Sequence, residues 1–421
     1  MTPLPHGGRL VPRRVEGEEA AALKRRAASF PSLILDAVAL SDLEMFAGGG
    51  FSPLIGFMGT ADYERVLAEM RLARGQLWPL PITLAVRAEE AKGLRPGQEV
   101  ALRDARGRLR GIMKIGEVFP WSPVREAKAV FGTTDENHPG IKRLFTLGDR
   151  LVGGEVRVFP RSGTGPWTPY LLDPSRTRAE FARRGWRTVA GFQSPHFLHR
   201  GNEYLQKVAL EMVDGLLLHP VVGATPAEDL PSDLRLRCYE VLLANYFPAA
   251  RVILAAMPGA IRYAGPREAV LQAIVAKNYG CSHLIMSRDR NGGRDFPSPS
   301  AVQEIFNYFG QEELGIKLLF FDQAFYCRVC GGMATRKTCP HGPTERVELS
   351  RKMLWAMLAR GEAPPAEFIR PEVAAVLLAA AAGKTRFALS DMGPPGREGE
   401  RRVLKKDATL ATPSGAGLRP D

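Results

Sequence analysis

A chain of 421 residues is long enough for two or three domains with real cores, which excludes a small stapled module. Hydrophobic residues at 45% and charged residues at 24% exclude a disordered or fibrous profile. A net charge of +12 suits anionic ligands. The basic residues are spread along the chain without a helix-turn-helix or an aromatic-interleaved basic stripe, so a small anionic substrate fits better than nucleic acid.

Residues up to about 30 read as an irregular lead-in with one short helix. Its opening MTPLPHGGRLVPRR lacks an apolar signal core, and no stretch approaches the ~18 apolar residues of a membrane span, so a cytoplasmic protein without a membrane partner is expected. A β-rich domain follows, with strand candidates PLPITLAV (79–86), EVALRD (99–104) and GRLRGIMKIGEVF (107–119). Its helix is ADYERVLAEMRLA (61–73), where apolar residues recur at helical spacing.

From about residue 170 helices alternate with short apolar strands. The strand candidates are RTVAGF (187–192), DGLLLHPVV (214–222), RVILAAM (251–257), HLIMSR (283–288) and KLLFF (317–321). Helices are expected from near Asn202, Ser232, Pro266 and Ser300, giving a parallel sheet covered on both faces. Ligands in such sheets sit at the carboxyl ends of the strands. The stretch 346–382 reads as helical, and the Pro/Gly/charge-rich tail 384–421 as flexible. The predicted organisation is therefore 1–170, 171–345, 346–383 and a tail, 384–421. No GxxxxGK[ST] word is present, so no P-loop kinase domain is expected.

Three segments carry candidate chemistry. GFQSPHFLHRGNEYLQ (191–206) runs from a strand end through a polar turn into a helix start, with His196, His199 and Arg200 close together. A helix N-terminus flanked by such groups favours phosphate, although two histidines three apart are as often ordinary surface or core residues. MPGAIRYAGPREAVLQAIVAKNYGCSHLIMSRDRNGG (257–293) places Arg262, then Gly265 and Arg267, and later Arg288, Asp289, Arg290 and Asn291 after consecutive strands. This reads as a polyphosphate cradle, since Gly permits close approach and Arg binds oxygens bidentately, or as a pair of solvated loops with Arg288 and Asp289 paired to each other. CRVCGGMATRKTCPH (327–341) gives Cys327, Cys330, Cys339 and His341, the donor set of a closed tetrahedral Zn²⁺ site with a structural role.

At these words the chain resembles the ATP sulfurylase family over roughly residues 30 to 380. LSDLEMFAGGGFSPLIGFMGTADYERVLAEMRLARGQLWPLPITL (40–84), VFGTTDENHPG (130–140), DGLLLHPVVG (214–223), NYFP (245–248), RYAGPREA (262–269) and KNYGCSH (277–283) carry the resemblance. It implies a PUA-like β-rich domain, then a Rossmann-like nucleotidyltransferase domain with a parallel sheet, and a small C-terminal helical region. The implied reaction takes ATP, with Mg²⁺, and sulfate to adenosine 5′-phosphosulfate and pyrophosphate. A homo-oligomer, and in some bacterial members a zinc knuckle, are implied likewise.

Carried over by position, the family's Gln-Thr-Arg-Asn-Pro-x-His-x-x-His-Glu word falls on Gln193 to Glu203. Gln193 would help to hold sulfate, Ser194 replaces Thr, and His199 would stabilise the triphosphate. Pro195 stands where the sulfate-binding Arg is expected, His196 where Asn is expected, and Asn202 where the second His is expected. The Gly-Arg-Asp-His-Ala-Gly word falls on Ser287 to Gly292, with Arg288 and Asp289 matching. The Ser-Gly-Thr word is reduced to Ser350, Arg351 and Lys352. An Arg-to-Pro change removes a permanent charge and a backbone donor, which Arg200, Arg290 or His196 would have to replace. Three readings follow: a sulfate adenylyltransferase, a nucleotidyltransferase with another anionic acceptor, or a non-catalytic nucleotide- or oxyanion-binding paralogue.

Overall fold

A computed structural model describes residues 2–161, 167–224, 230–287, 299–347, 349 and 351–383. The lead-in carries helix α1 (Gly17–Ala27) and leads to strand β1 (Ser32–Ile34) and helix α2 (Ala37–Gly48). Asp36 caps α2, accepting a hydrogen bond from the Ala39 amide at 2.7 Å. Then come β2 (Gly56–Phe57), α3 (Thr60–Glu69), β3 (Ala85–Val86), α4 (Ala88–Ala91), β4 (Glu99–Arg103), β5 (Leu109–Pro120), α5 (Pro123–Phe131), α6 (Pro139–Leu144) and β6 (Arg150–Val158). The strands make one sheet in the order β1-β4-β5-β6-β2, with β3 also on β6.

Two expectations in this half change. Only Ala85 and Val86 of the stretch 79–86 join the sheet, because Pro79 and Pro81 have no N–H to give a ladder. Leu80 and Ile82 are nonetheless buried, which is what made the segment read as a strand. Helix α3 stops at Glu69 rather than 73: Met70 turns into the left-handed region, and the Leu72 amide bonds Gln76 O at 2.8 Å to reverse the chain.

The second half holds α7 (Pro174–Arg183), β7 (Val189–Ser194), α8 (Arg200–Leu210), β8 (Gly215–Pro220), α9 (Ser232–Tyr246), β9 (Val252–Leu254), α10 (Gly265–Asn278), β10 (His283–Ser287), α11 (Pro299–Ile305), α12 (Gln311–Leu314) and β11 (Lys317–Phe321). All neighbouring strands are parallel, in the order β11-β10-β7-β8-β9. Counted from β7 this is 3-2-1-4-5, so the winding reverses between β7 and β10. Successive residues of β8 enter opposite cores: Leu216 and Leu218 join a cluster with Leu354, Leu358 and Leu377, while Leu217 joins the core shared with the first half. A strand apolar on both faces needs both faces covered, as the sequence suggested.

Beyond β11 the hairpin β12 (Ala324–Cys327) and β13 (Gly332–Thr335) is joined by β14 (Arg346–Val347), which pairs with β12. The expected helical stretch from 346 therefore begins as a strand, and its helices are α13 (Arg351–Ala359) and α14 (Pro371–Ala381). No helix among the described residues is long and apolar enough to cross a membrane. The tail 384–421 lies outside the described residues.

Candidate active site

The reversal of winding between β7 and β10 opens the sheet at their carboxyl ends, where an α/β fold places ligands. Gln193 and Ser194 end β7 there, with Gln193 buried beside His219 of β8 in the strand register. The turn that follows is held by two side chains bonded to the His196 backbone. The His196 amide donates to Ser194 Oγ at 3.1 Å, and Tyr239 of α9 donates to the His196 carbonyl at 3.3 Å.

His199 precedes α8, and its amide donates to Asn202 Oδ1 at 3.3 Å. Asn202, which stands at the family's second-histidine position, thus caps the helix in this chain. The imidazole of His199 stacks on Phe368 with ring centroids 5.1 Å apart. Its Nδ1 is buried, and the side chain faces the Asn202 amide in a reciprocal cap at the start of α8. Burial, with a smaller push from His196, lowers the pKa of His199 to about 4. The ring is therefore neutral at pH 7.

Several candidates from the sequence are engaged elsewhere. Arg200 donates from Nη1 to Ala366 O at 2.9 Å and lies over the Tyr326 ring at 5.8 Å, so it ties α8 to the C-terminal region and to β12. Arg267 donates to Val66 O at 2.9 Å, Leu67 O at 3.0 Å and Pro79 O at 3.2 Å. It meets the last turn of α3, where a cation is favoured. Arg262 pairs with Asp42 of α2. Burial raises the pKa of the Asp42 carboxyl, with the Arg262 guanidinium opposing the rise, while the carboxyl helps Arg262 to keep its proton. Glu268 accepts from the amides of Arg262 at 2.8 Å and Ala264 at 3.2 Å, closing the turn before Gly265 and α10.

The role of α2 was not legible in the sequence. Its Ser41 Oγ accepts the Ala224 amide at 2.9 Å, after β8, while Asp42 holds the loop after β9. Between them lies Gly223, where a Cβ would stand 2.2 Å from Gly259 O and 2.6 Å from Ser41 Oγ. The first half of the chain therefore forms a wall of the mouth of the parallel sheet. Arg288, Asp289, Arg290 and Asn291, and Ser350 of the shortened C-terminal word, lie outside the described residues.

Beside α8, Cys327, Cys330, Cys339 and His341 bring their ligand atoms within 4.8 Å of one another. Zn–S bonds of about 2.3 Å and Zn–N bonds of about 2.0–2.1 Å make a tetrahedron with edges of about 3.8 Å between sulfurs and about 3.6 Å between sulfur and nitrogen. The Cys330–Cys339 separation is 3.8 Å, and the three sulfurs stand 3.3–3.5 Å from His341 Nδ1. The Cys330 amide points at Cys327 Sγ at 3.4 Å and heads the contacts that lower that thiol to about 7, which favours the thiolate a metal requires. The donors fit a four-coordinate metal such as zinc.

Comparison with known proteins agrees with this architecture. The family described as ATP-sulfurylase matches residues 168–380, and the PUA-like domain family matches residues 3–161. The sulfate adenylyltransferase of Symbiobacterium thermophilum is 54% identical over 89% of this chain and 95% of its own. That of a Synechococcus strain, JA-3-3Ab, is 51% identical over the same shares. Among solved structures, a hexameric APS kinase from Thiobacillus denitrificans superposes with a TM-score of 0.70 at 31% identity, covering 89% of this chain and 67% of that one. With a doubly wound sheet, a PUA-like first half and relatives of this closeness, the chain belongs to the ATP sulfurylase family.

Proposed function

We propose that the chain is a sulfate adenylyltransferase, transferring the adenylyl group of ATP to sulfate to give adenosine 5′-phosphosulfate and pyrophosphate, reversibly. The observation that best supports this is the mouth between β7 and β10, where Gln193 and Ser194 end β7 and a neutral His199 heads α8. The high identity to enzymes bearing that name supports the reaction itself.

In this reading a sulfate oxygen attacks the α-phosphorus in line with departing pyrophosphate. Sulfate is already an anion at pH 7, so the protein supplies position and charge stabilisation rather than a base. Gln193 and Ser194 orient sulfate, and His199 donates a hydrogen bond to the phosphates. Arg288, Asp289, Arg290 and Asn291 follow β10 and complete the nucleotide contacts. Magnesium enters with ATP, on the phosphate oxygens. Arg262, Gly265 and Arg267 shape the mouth by fixing its loop against the first half, and His196 and Arg200 hold the turn and helix that present His199. A structural zinc on the knuckle braces α8 from the side. Residues 1–170, 171–345 and 346–383 act as the PUA-like, nucleotidyltransferase and C-terminal units, and a homo-oligomer is expected, since the solved relative is described as hexameric.

The test is synthesis of ATP from adenosine 5′-phosphosulfate and pyrophosphate with Mg²⁺, read by luminescence, beside a His199→Ala control. Robust activity that the control loses supports the reading. ATP binding without turnover would overturn it and favour another acceptor, a possibility that Pro195 keeps specific by removing the expected sulfate-binding Arg.

A further inference from the structure

Helix α10 starts at the catalytic end of the sheet and delivers the chain to the first residue of β10, so its last turn lies at the opposite end. There the first residues of the chain, the turn after α3 and the segment at 312–315 line an open cavity of about 680 Å³. Lys277 of α10 opens into it while only 8% exposed. Its Nζ stands where a Cβ on Gly315 would be 2.7 Å away, and it has no acceptor among the described residues. A buried ammonium without a partner is unfavourable, and burial accordingly lowers the pKa of this lysine.

Neither carboxylate of the lining, Glu312 or Glu313, pairs with it. Arg178 of α7 donates only to carbonyls: Asn278 O at 2.8 Å, Pro3 O at 2.7 Å and Lys277 O at 2.6 Å. Glu313 is held by Arg71 through both oxygens, which leaves the exposed Glu312 as the remaining acid of the lining. His6 donates from Nε2 to Leu77 O at 2.7 Å, and burial lowers its pKa to about 4, so it stays neutral. A second polar atom in the same lining also lacks a partner: Gln76 Oε1 is buried and accepts nothing. One cavity thus offers an ammonium without a bonded acceptor and an unfilled acceptor beside the apolar face of Leu4.

We propose that this cavity is a second binding site, remote from the catalytic mouth, for a small organic anion with an apolar body and a hydrogen-bond donor. The acidic head lies on Lys277 with Arg74 at the rim, and a hydroxyl or amine reaches Gln76. The site does not depend on the reaction at the other end of the sheet.

The test uses the full chain with saturating Mg-ATP, so that the catalytic mouth is occupied. Benzoate, 4-hydroxybenzoate and phenyl phosphate are titrated by calorimetry, with 4-hydroxybenzyl alcohol as the neutral control. At least one anion should bind saturably, 4-hydroxybenzoate more tightly than benzoate, and the alcohol should not. Lys277→Met should raise Kd by about tenfold or more, as loss of a charge-assisted contact requires. Arg74→Ala, at an exposed position that leaves folding intact, should weaken binding by less. No binding of any of the three anions, or equal Kd in wild type and Lys277→Met, would overturn the proposal.

Discussion

Replacing Asp42 by alanine tests whether the first half of the chain builds the catalytic mouth or merely covers it. The Asp42 side chain is 1% exposed and that of Arg262 14%, so the variant leaves a guanidinium in a nearly dry site without its counter-charge. Glu268 cannot substitute, because its carboxylate is engaged by the backbone amides of Arg262 and Ala264. Breaking a buried pair from one side costs about 3–5 kcal/mol. Part of that should appear as lost stability of the joint between the halves, and part as displacement of the loop 258–264. If displacement removes about 1.4–2.8 kcal/mol of transition-state stabilisation, kcat/KM for ATP falls by about 10- to 100-fold. Urea denaturation followed by tryptophan fluorescence, together with initial rates of ATP formation, measures both. Asp42→Leu combined with Arg262→Met removes both charges and should recover most of the stability, since apolar replacement of a buried pair is often neutral. A loss below about 1 kcal/mol in Asp42→Ala with unchanged kcat/KM would refute the reasoning.

Arg267→Met should destabilise the chain by about 2–4 kcal/mol through three lost carbonyl contacts while moving KM for ATP little; a large KM effect at unchanged stability would return Arg267 to the nucleotide site. His219 is fully buried without a partner on either ring nitrogen among the described residues, and burial lowers it from 6.5 to about 3. The unfolded chain takes up a proton there that the folded chain refuses, so this contribution to stability is complete above about pH 7 and is lost as pH falls towards 3. His219→Leu should flatten that slope in urea midpoints taken at about pH 7.5, 6 and 5, and identical slopes in variant and wild type would contradict the assignment. Purified protein should contain about one zinc per chain, as four protein ligands require. Chelation should loosen α8 and alter near-UV circular dichroism, whereas a metal-free protein of unchanged spectrum would remove the knuckle from its bracing role. Arg370→Ala should cost about 1.5–3 kcal/mol, because its bonds of 2.7 and 2.8 Å to the buried Glu203 join α14 to α8; thermal unfolding with no shift would show the joint to be idle.

The parallel sheet was legible because its five strands are short apolar runs separated by helix-length segments, and the observed helix starts fall within a residue or two of those read from the sequence. The metal cluster was legible because its donors lie within fifteen residues of one another. Arg262 and Arg267 were read as phosphate ligands for a sound local reason, since basic residues in a Gly/Pro turn after a strand suit anions. The partners they have in the structure, Asp42 and the end of α3, lie some two hundred residues earlier, where no local pattern points to them. Ser41 and Asp42 likewise sit in a helix that reads as scaffold. Pro79 and Pro81 were signals against a strand that the surrounding apolar residues masked.

The wall that α2 forms has a consequence for descent. A loop after β9 that depends on an aspartate in another half of the chain cannot be exchanged by itself. Grafting the second half of a relative onto this first half would leave Asp42, Ser41 and the carbonyls of Val66 and Leu67 facing whatever that relative carries at 224, 262 and 267. Recombination should therefore succeed where both sides of the seam arrive together, and the two halves should be inherited as one unit.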